Sequence, residues 1–293
     1  MGTFLMVLCP VCRTSTDQVI RRDRDGTPLY FVCASCGLWV LRPQAPLPAY
    51  DNAYYGRGAG SRWIAALSRP LLELDFYDLG LSRLPRGSKV LDIGCGAGAL
   101  VEQLDRRGWQ AFGLDTSASA IALARVRVPR AVFACATLEQ APWPEASLDA
   151  LVSTHVLEHV DDPLGWARAA LRLVRPGGRL VLRVPHAASW ESRLAGSCWF
   201  HLDFPFHVTH WNARALRHLL TAAGWTVRQI RPARFEYKQT LLYSVAASLG
   251  LSTEKRGTRL ACLPLQVFAM PIAVLLSFLG SGGTLQITAE RPS

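Results

Sequence analysis

The segment 90–98, Val-Leu-Asp-Ile-Gly-Cys-Gly-Ala-Gly, is the feature that most constrains how this chain can fold. A short apolar run enters a glycine-rich turn, and apolar residues then recur at helical spacing. Glycines in such a strand–turn–helix unit let the backbone approach a ligand closely at the carboxyl edge of a parallel sheet. The spacing is GxGxG, whereas a dinucleotide pyrophosphate site typically has GxGxxG. The segment therefore predicts an α/β ligand-binding fold and disfavours a nicotinamide oxidoreductase.

From position 88 onward, short apolar runs alternate with helical segments, which is typical of an α/β fold with a largely parallel sheet. We predict seven strands, over 88–93, 109–114, 131–135, 148–153, 179–184, 225–231 and 284–289. We predict helices over 97–107, 117–126, 163–174 and 212–223.

Four of the eight cysteines form two CxxC pairs separated by 20 residues, and they are Cys9, Cys12, Cys33 and Cys36. This spacing predicts a small zinc ribbon in which the four thiolates bind one structural Zn²⁺. The alternative is a pair of redox or disulfide sites, but no βαβ pattern surrounds either pair. The remaining cysteines are scattered, and this usage indicates a reducing, cytoplasmic environment.

A length of 293 residues fits one large domain and one small module. The proline-rich stretch 42–48 indicates a linker. We therefore predict a zinc ribbon over 1–45, a linker with N-terminal helices over 46–87, and the large α/β domain over 88–293. The apolar segment at 1–8 has no basic leader and no small-residue cleavage site, so we expect no signal peptide.

Two acidic residues accompany the glycine turn. Asp92 precedes it, where it can face an amino group. Asp115 ends the next predicted strand, 21 positions after Gly94, where a carboxylate can accept hydrogen bonds from both hydroxyls of a ribose. Together with the segments 155–163 (HVLEHVDDP) and 173–178 (LVRPGG), these residues resemble the motifs of class I S-adenosylmethionine-dependent methyltransferases.

This resemblance implies a Rossmann-like fold with a seven-stranded, mostly parallel sheet and the small zinc ribbon at its N-terminus. The ribbon followed by aromatic residues at 50, 54 and 55 is similar to bacterial methyltransferases in which such a module precedes the catalytic domain. The resemblance implies S-adenosylmethionine as the methyl donor. The residues it assigns to donor binding are Asp92, Gly94, Cys95, Gly96, Gly98, Asp115, Thr116, Thr137, Leu138 and His155. Position 136 is alanine where many relatives have an acid, so backbone groups at 136–138 would contact the adenine.

Three residues are assigned to the acceptor side of the site: His155, His207 and Asp203. A histidine titrates near neutral pH and can therefore take a proton from a nucleophile. The alternative is that the loop around His207 and His210 is a lid held by histidine hydrogen bonds. The HxxEH pattern at 155–159 also occurs in zinc peptidases, but the proline at 163 leaves little room for the helix that such a site needs.

The predicted function is methyl transfer to a small molecule or to a lipid- or glycan-linked biosynthetic intermediate. The net charge of +10 leaves open an RNA methyltransferase with the ribbon as reader. However, arginines and aspartates nearly balance within 9–40, and we expect no nucleic-acid partner. A non-catalytic zinc-module scaffold that retains the nucleotide fold is the other alternative.

The segment 236–280 interrupts the strand–helix alternation, and no charged residue occurs between Leu260 and Ala289. We expect a helical insert that contacts the membrane surface or a lipid-like acceptor, so that the cytoplasmic protein would be peripheral at the inner membrane face. A proline at 271 and the length of the run argue against a membrane span. The alternatives are a buried hairpin and a dimer interface.

Overall fold

The computed structural model describes residues 6–22, 27–42, 73–235, 243–244, 246, 271–272 and 274–293. These residues form the strands β1 (Val7–Leu8), β2 (Ser15–Thr16), β3 (Val19–Arg22), β4 (Pro28–Val32), β5 (Trp39–Leu41), β6 (Lys89–Ile93), β7 (Gln110–Asp115), β8 (Val132–Cys135), β9 (Leu148–Thr154), β10 (Val174–Pro185), β11 (Thr209–His210), β12 (Thr226–Pro232) and β13 (Thr284–Glu290). The labelled helices are α1 (Ala99–Arg106), α2 (Ala118–Arg127), α3 (Pro163–Leu173), α4 (Trp190–Ala195) and α5 (Ala213–Ala222). Residues 73–78 are also helical.

Seven strands form one sheet in the order β12-β13-β10-β9-β6-β7-β8. The pairs from β10 through β8 are parallel. Strand β13 is antiparallel to both of its neighbours. The predicted seven-stranded, mostly parallel sheet is thus confirmed, and six of its strands begin and end within two residues of their predicted bounds.

Strand β10 is the exception, because it begins at Val174 and not at the predicted 179. Its pairing with β9 shifts between Val174 and Arg179, so a bulge around the two glycines at 177–178 extends the strand before its predicted start. Such a bulge depends on the partner strand, which is why local sequence does not indicate it.

The core has two layers, one on each face of the sheet. Along β6, Val90 packs with α1 and α2, whereas Leu91 packs with α3 and α5 on the opposite face. This alternation follows from the two-residue period of a strand, and it places the end of β6 at the centre of the sheet. The helix starts are capped: Ser117 accepts from the Ala120 N–H at α2, and Asp162 accepts from the Gly165 N–H at α3.

The N-terminal ribbon is joined to the larger domain by a shared sheet, in the order β11-β5-β4-β3. Strand β11 comes from the loop after α4, and it pairs antiparallel with β5 through Thr209–Val40 and His210–Trp39. A small apolar cluster, in which Tyr30 and Trp39 pack against Trp199, closes the junction. The loop of the large domain that carries β11 therefore completes the sheet of the ribbon.

Most of the 236–280 segment, the 43–48 linker and the tyrosines at 50, 54 and 55 lie outside the described residues. Of the apolar segment, residues 271–272 and 274–278 are helical. No helix within the described ranges combines the length and the apolar character needed to cross a membrane.

Candidate active site

The glycine turn of 94–98 connects β6 to α1 in a conformation that side chains disfavour. Gly94, Gly96 and Gly98 have φ angles of 72°, 50° and 78°. A Cβ at Gly94 would collide with the side chain of Val156, and one at Gly98 would press on Ala124. The turn is fixed to β7, because the backbone N–H groups of Gly94 and Cys95 both donate to the Leu114 carbonyl. Glycine is required here so that three chain segments can meet at the sheet edge.

Asp115 ends β7 and organises the same turn. Its Oδ2 accepts from the Gly96 N–H at 2.8 Å, and its Oδ1 accepts from the Ser117 N–H at 2.9 Å. A carboxylate can accept about four hydrogen bonds, so these two contacts are compatible with additional donors such as sugar hydroxyls. Because both oxygens are already oriented by the backbone, the carboxylate is preorganised for a ligand.

A cavity of about 620 Å³ opens at the carboxyl ends of β6, β7 and β9, beside Asp115. This volume is typical of sites for nucleoside-sized ligands. Six of the predicted donor-binding residues line it, and they are Gly94, Asp115, Thr116, Thr137, Leu138 and His155. Further lining residues that sequence reasoning missed include His159, Val160, Asp161, Asp162 and Trp166. The segment 155–163 was recognised as a motif, but its spacing alone does not show which side chains face the cavity.

A second cavity of about 300 Å³ adjoins the first, and both are lined by Gly94 and Thr154. Asp92 and Cys95 line this second cavity and not the first. Burial raises the pKa of Asp92 well above its ordinary value, and the nearby charge of Asp115 raises it further. A cationic group beside such a buried carboxyl stabilises its ionised form. Burial also raises the pKa of the Cys95 thiol, which is therefore no nucleophile.

Arg183 of β10 borders the second cavity and was not recognised from the sequence. Its side chain is almost fully buried, and its guanidinium contacts Asp75 at 2.7 Å and Asp78 at 3.4 Å. The Nε–H donates to Gln286 Oε1 at 2.7 Å. An arginine inside the apolar run 180–185 signals a buried ion pair, but its carboxylate partners lie more than 100 positions away in the chain.

His155 lies directly after β9 and lines the larger cavity with a left-handed backbone conformation, φ 56°. Its Nδ1 is 3.0 Å from Oε1 of Glu158, whose side chain is fully buried. Its ring also stacks on that of His201, with centroids 5.6 Å apart. His155 therefore lines the 620 Å³ cavity, and the Glu158 carboxylate orients its ring.

His207 and Asp203, in contrast to His155, do not line the 620 Å³ cavity. His159 stands next to His207, with ring centroids 4.6 Å apart. Burial holds the pKa of His207 well below its ordinary range, and the neighbouring histidines His159, His210 and His201 lower it further. His207 is therefore a weak base at neutral pH. The Nε2 of His207 is 3.7 Å from Oδ2 of Asp203.

The four N-terminal cysteines converge, with all four sulfurs within 4.8 Å of one another. The Cys9–Cys36 sulfurs are 3.6 Å apart and the Cys12–Cys33 sulfurs 3.3 Å apart. Sulfurs that bind one tetrahedral zinc at about 2.3 Å stand roughly 3.8 Å apart, so the cluster fits the ion. The pKa of Cys9 is lowered to about 5, chiefly because the Cys36 thiol donates to its sulfur. The predicted zinc ligands are therefore brought together as required.

Tyr30 links the N-terminal ribbon to the loop that precedes β11. The buried hydroxyl of Tyr30 lies within hydrogen-bond distance of two backbone carbonyls, that of His207 at 2.7 Å and that of Leu202 at 3.1 Å. The ribbon thus holds the backbone that carries His207 and Asp203.

Comparison with known proteins assigns residues 64–230 to a family model described as a methyltransferase domain. A "probable S-adenosylmethionine-dependent methyltransferase" of Mycolicibacterium smegmatis is 30% identical over 141 residues, which are 48% of this chain and 53% of that protein. The ubiquinone biosynthesis O-methyltransferase of Alkalilimnicola ehrlichii is 36% identical over 115 residues, 38% of this chain and 46% of that protein. The chain thus spans about half the length of the curated relatives it matches.

Solved structures share the fold at low sequence identity. An S-adenosylmethionine-dependent methyltransferase from Mesorhizobium loti superposes with a TM-score of 0.51 at 20% identity, over 74% of this chain and 97% of that chain. The geranyl diphosphate C-methyltransferase of Streptomyces coelicolor gives a TM-score of 0.55 at 16% identity, over 86% of this chain and 92% of that chain. These likenesses confirm the Rossmann-like methyltransferase fold that the resemblance implied.

Proposed function

The chain belongs to the methyltransferase domain family, and on that premise we propose that it is an enzyme that transfers a methyl group from S-adenosylmethionine to an acceptor. The observation that carries the proposal is the 620 Å³ cavity in which Asp115, oriented by two backbone N–H groups, faces the glycine turn at Gly94. The adjoining cavity at Asp92 supports an elongated ligand with a nucleoside at one end and a charged group at the other.

When bound, S-adenosylmethionine supplies a methyl group on a sulfonium that is open to in-line displacement. The protein then has to hold the reactants in line and exclude water. Asp115 would accept hydrogen bonds from the ribose hydroxyls, and Asp92 would face the amino group. The buried Leu138 and Trp166 would cover the apolar part of the nucleoside. His155, held by Glu158, is the side chain best placed to take a proton from an acceptor hydroxyl.

For the acceptor we propose a small molecule or a lipid- or glycan-linked intermediate. Relatives named for ubiquinone biosynthesis support an apolar acceptor, although each shares only part of its length with this chain. A further support is the exposed apolar face at the end of the 236–280 segment, formed by Ile272, Leu275, Phe278 and Leu279. Such a face suits contact with a lipid tail or with the membrane surface.

Methyl transfer is tested with isotope-labelled S-adenosylmethionine and a panel of phenols, lipid-linked glycans and isoprenoid phenols in vesicles, with products detected by mass spectrometry. We expect label in at least one apolar acceptor, and a large loss of rate in His155→Gln at saturating donor, a condition needed because His155 also lines the donor cavity. Donor binding without transfer to any member of the panel would favour a non-catalytic scaffold.

Membrane contact is tested by flotation with anionic liposomes. Leu275→Ser should lower the floated fraction of the full chain, because it removes an apolar side chain that is 58% exposed. Leu123→Ser on α2 is the matched control, since Leu123 is 55% exposed far from the segment. Equal flotation of wild type and both variants, or none for wild type, would contradict membrane contact through this face.

A further inference from the structure

Three side chains at the acceptor side converge in a way that methyl transfer does not require. Glu158 and His159 lie in the single 3-10 turn Leu157–His159 after β9, and His207 comes from the loop before β11. One ligand atom from each, a carboxylate oxygen or a ring nitrogen, lies within 4.8 Å of the other two. Glu158 is fully buried and His207 is 5% exposed.

Both imidazoles are oriented by the backbone. The Nδ1 of His159 is 3.0 Å from the Phe206 carbonyl, and the Nδ1 of His207 is 2.8 Å from the His201 carbonyl. Because a carbonyl can only accept, each Nδ1 carries the proton, and Nε2 is the nitrogen through which each ring can coordinate a cation. Histidines that bind metals typically donate their other N–H in this way, which fixes the tautomer and the orientation of the ring.

The two carboxylate oxygens of Glu158 differ in their hydrogen bonding. Oε1 of Glu158 contacts His155 Nδ1 at 3.0 Å. Its Oε2 is buried and has no hydrogen-bond partner among the residues that the structure describes. A buried carboxylate oxygen in this state is costly unless it meets a donor or a cation. A cation bound by Glu158 and the two imidazoles would satisfy this oxygen.

We propose that Glu158, His159 and His207 bind one divalent first-row transition-metal ion, distinct from the zinc of the ribbon. Two neutral imidazoles and one carboxylate are a ligand set suited to Zn²⁺, Co²⁺, Mn²⁺ or Fe²⁺. Ligands of a tetrahedral ion at about 2.1 Å stand roughly 3.4 Å apart, so binding requires side-chain movements of about 1 Å. Oδ2 of Asp203, 3.7 Å from His207 Nε2, lies within reach of a fourth coordination position.

The site adjoins the donor cavity, because His159 lines that cavity as well. An ion here would hold an acceptor oxygen beside the methyl donor and lower the pKa of an acceptor hydroxyl. This role rests on the proposed methyl transfer, whereas metal binding by the three side chains does not.

The test uses the full chain with zinc in its ribbon, and equilibrium dialysis against Co²⁺. Wild type should bind one Co²⁺ per chain with a visible absorption band but without the intense thiolate charge-transfer bands that cobalt in the cysteine site would give. Glu158→Gln, which keeps the side-chain volume, and His207→Ala should each lower the Co²⁺ affinity at least tenfold. His218→Ala on the exposed face of α5 is the matched control and should bind like wild type.

Circular dichroism and a ribbon zinc content of one per chain establish that each variant is folded. Absence of Co²⁺ binding by wild type would overturn the proposal, as would equal affinity in wild type and a folded Glu158→Gln variant. Co²⁺ binding without methyl transfer to any acceptor would leave the metal site standing and count against the proposed function alone.

Discussion

His210, at the end of β11, provides a quantitative test of how the ribbon is joined to the larger domain. Its side chain is fully buried between the rings of Tyr30, Trp39 and Trp199, with centroid distances of 4.7 to 5.7 Å. Burial lowers its pKa to about 3, and the positive charge of Arg21 contributes to the shift. In the unfolded chain its pKa is close to 6.5.

Because the pKa of His210 is lower in the folded protein than in the unfolded chain, the free energy of unfolding decreases as the pH falls. The stabilisation is complete above pH 6.5, where both states hold a neutral ring, and it is lost as the pH falls from 6.5 towards 3. At pH 5.5 the unfolded chain binds a proton that the folded protein excludes, which costs about 1.4 kcal/mol relative to pH 7.5. His210→Phe keeps an aromatic ring but removes the titration. The free energy of unfolding of wild type should therefore fall by about 1.4 kcal/mol more than that of the variant between these pH values.

Urea unfolding followed by tryptophan fluorescence at pH 7.5 and 5.5 measures this difference. The pH dependence of the cysteine cluster is common to both proteins and cancels. His218→Gln, at an exposed position of α5, should fall in parallel with wild type. A parallel fall of wild type and His210→Phe would mean that His210 is protonated in the folded protein, and that the junction between β5 and β11 is not closed.

Three further predictions follow from the site. Gly94→Ala should lower the affinity for S-adenosylhomocysteine at least tenfold in calorimetry, because its φ of 72° and the contact with Val156 exclude a side chain; unchanged affinity would contradict the turn geometry. Tyr30→Phe should lower the free energy of urea unfolding by about 1–2 kcal/mol, because it removes the buried hydroxyl that donates to the His207 carbonyl at 2.7 Å. Tyr77→Phe, at an exposed position, should change it by less than about 0.5 kcal/mol. Cys33→Ser should abolish stoichiometric zinc by elemental analysis, while Cys198→Ser keeps it; zinc retained in Cys33→Ser would remove the four-cysteine assignment.

The large sheet could be predicted because each of its buried strands is a short apolar run that ends in a recognisable turn. The glycine turn and Asp115 likewise follow from spacing along one stretch of chain. Strand β11 could not be predicted, since its two residues become a strand only by pairing with β5, about 170 positions earlier. The buried partners of Arg183 were missed for the same reason.

Sequence spacing also failed to predict which side chains pair around His155 and His207. In zinc peptidases the HxxEH pattern places both histidines on one metal ion, and the proline at 163 argued against such a pairing of His155 with His159 here. In the structure His159 lies next to His207, while His155 contacts Glu158 and stacks on His201. The sequence therefore singled out His155, Glu158, His159 and His207, but it identified neither their pairs nor His201.

Binding of the methyl donor at the glycine turn through Asp115 can be measured by calorimetric titration with S-adenosylhomocysteine. Asp115→Asn replaces one carboxylate oxygen by an amide NH₂ that opposes a backbone N–H, either that of Gly96 or that of Ser117. Hydrogen bonds to charged groups contribute about 1.5–3 kcal/mol, so the affinity should fall at least tenfold. Asp149→Asn, which alters an ion pair with Arg175 at the opposite end of the sheet, should bind like wild type. Absence of binding by wild type, or equal affinity in all three proteins, would show that the donor does not bind at the glycine turn through Asp115.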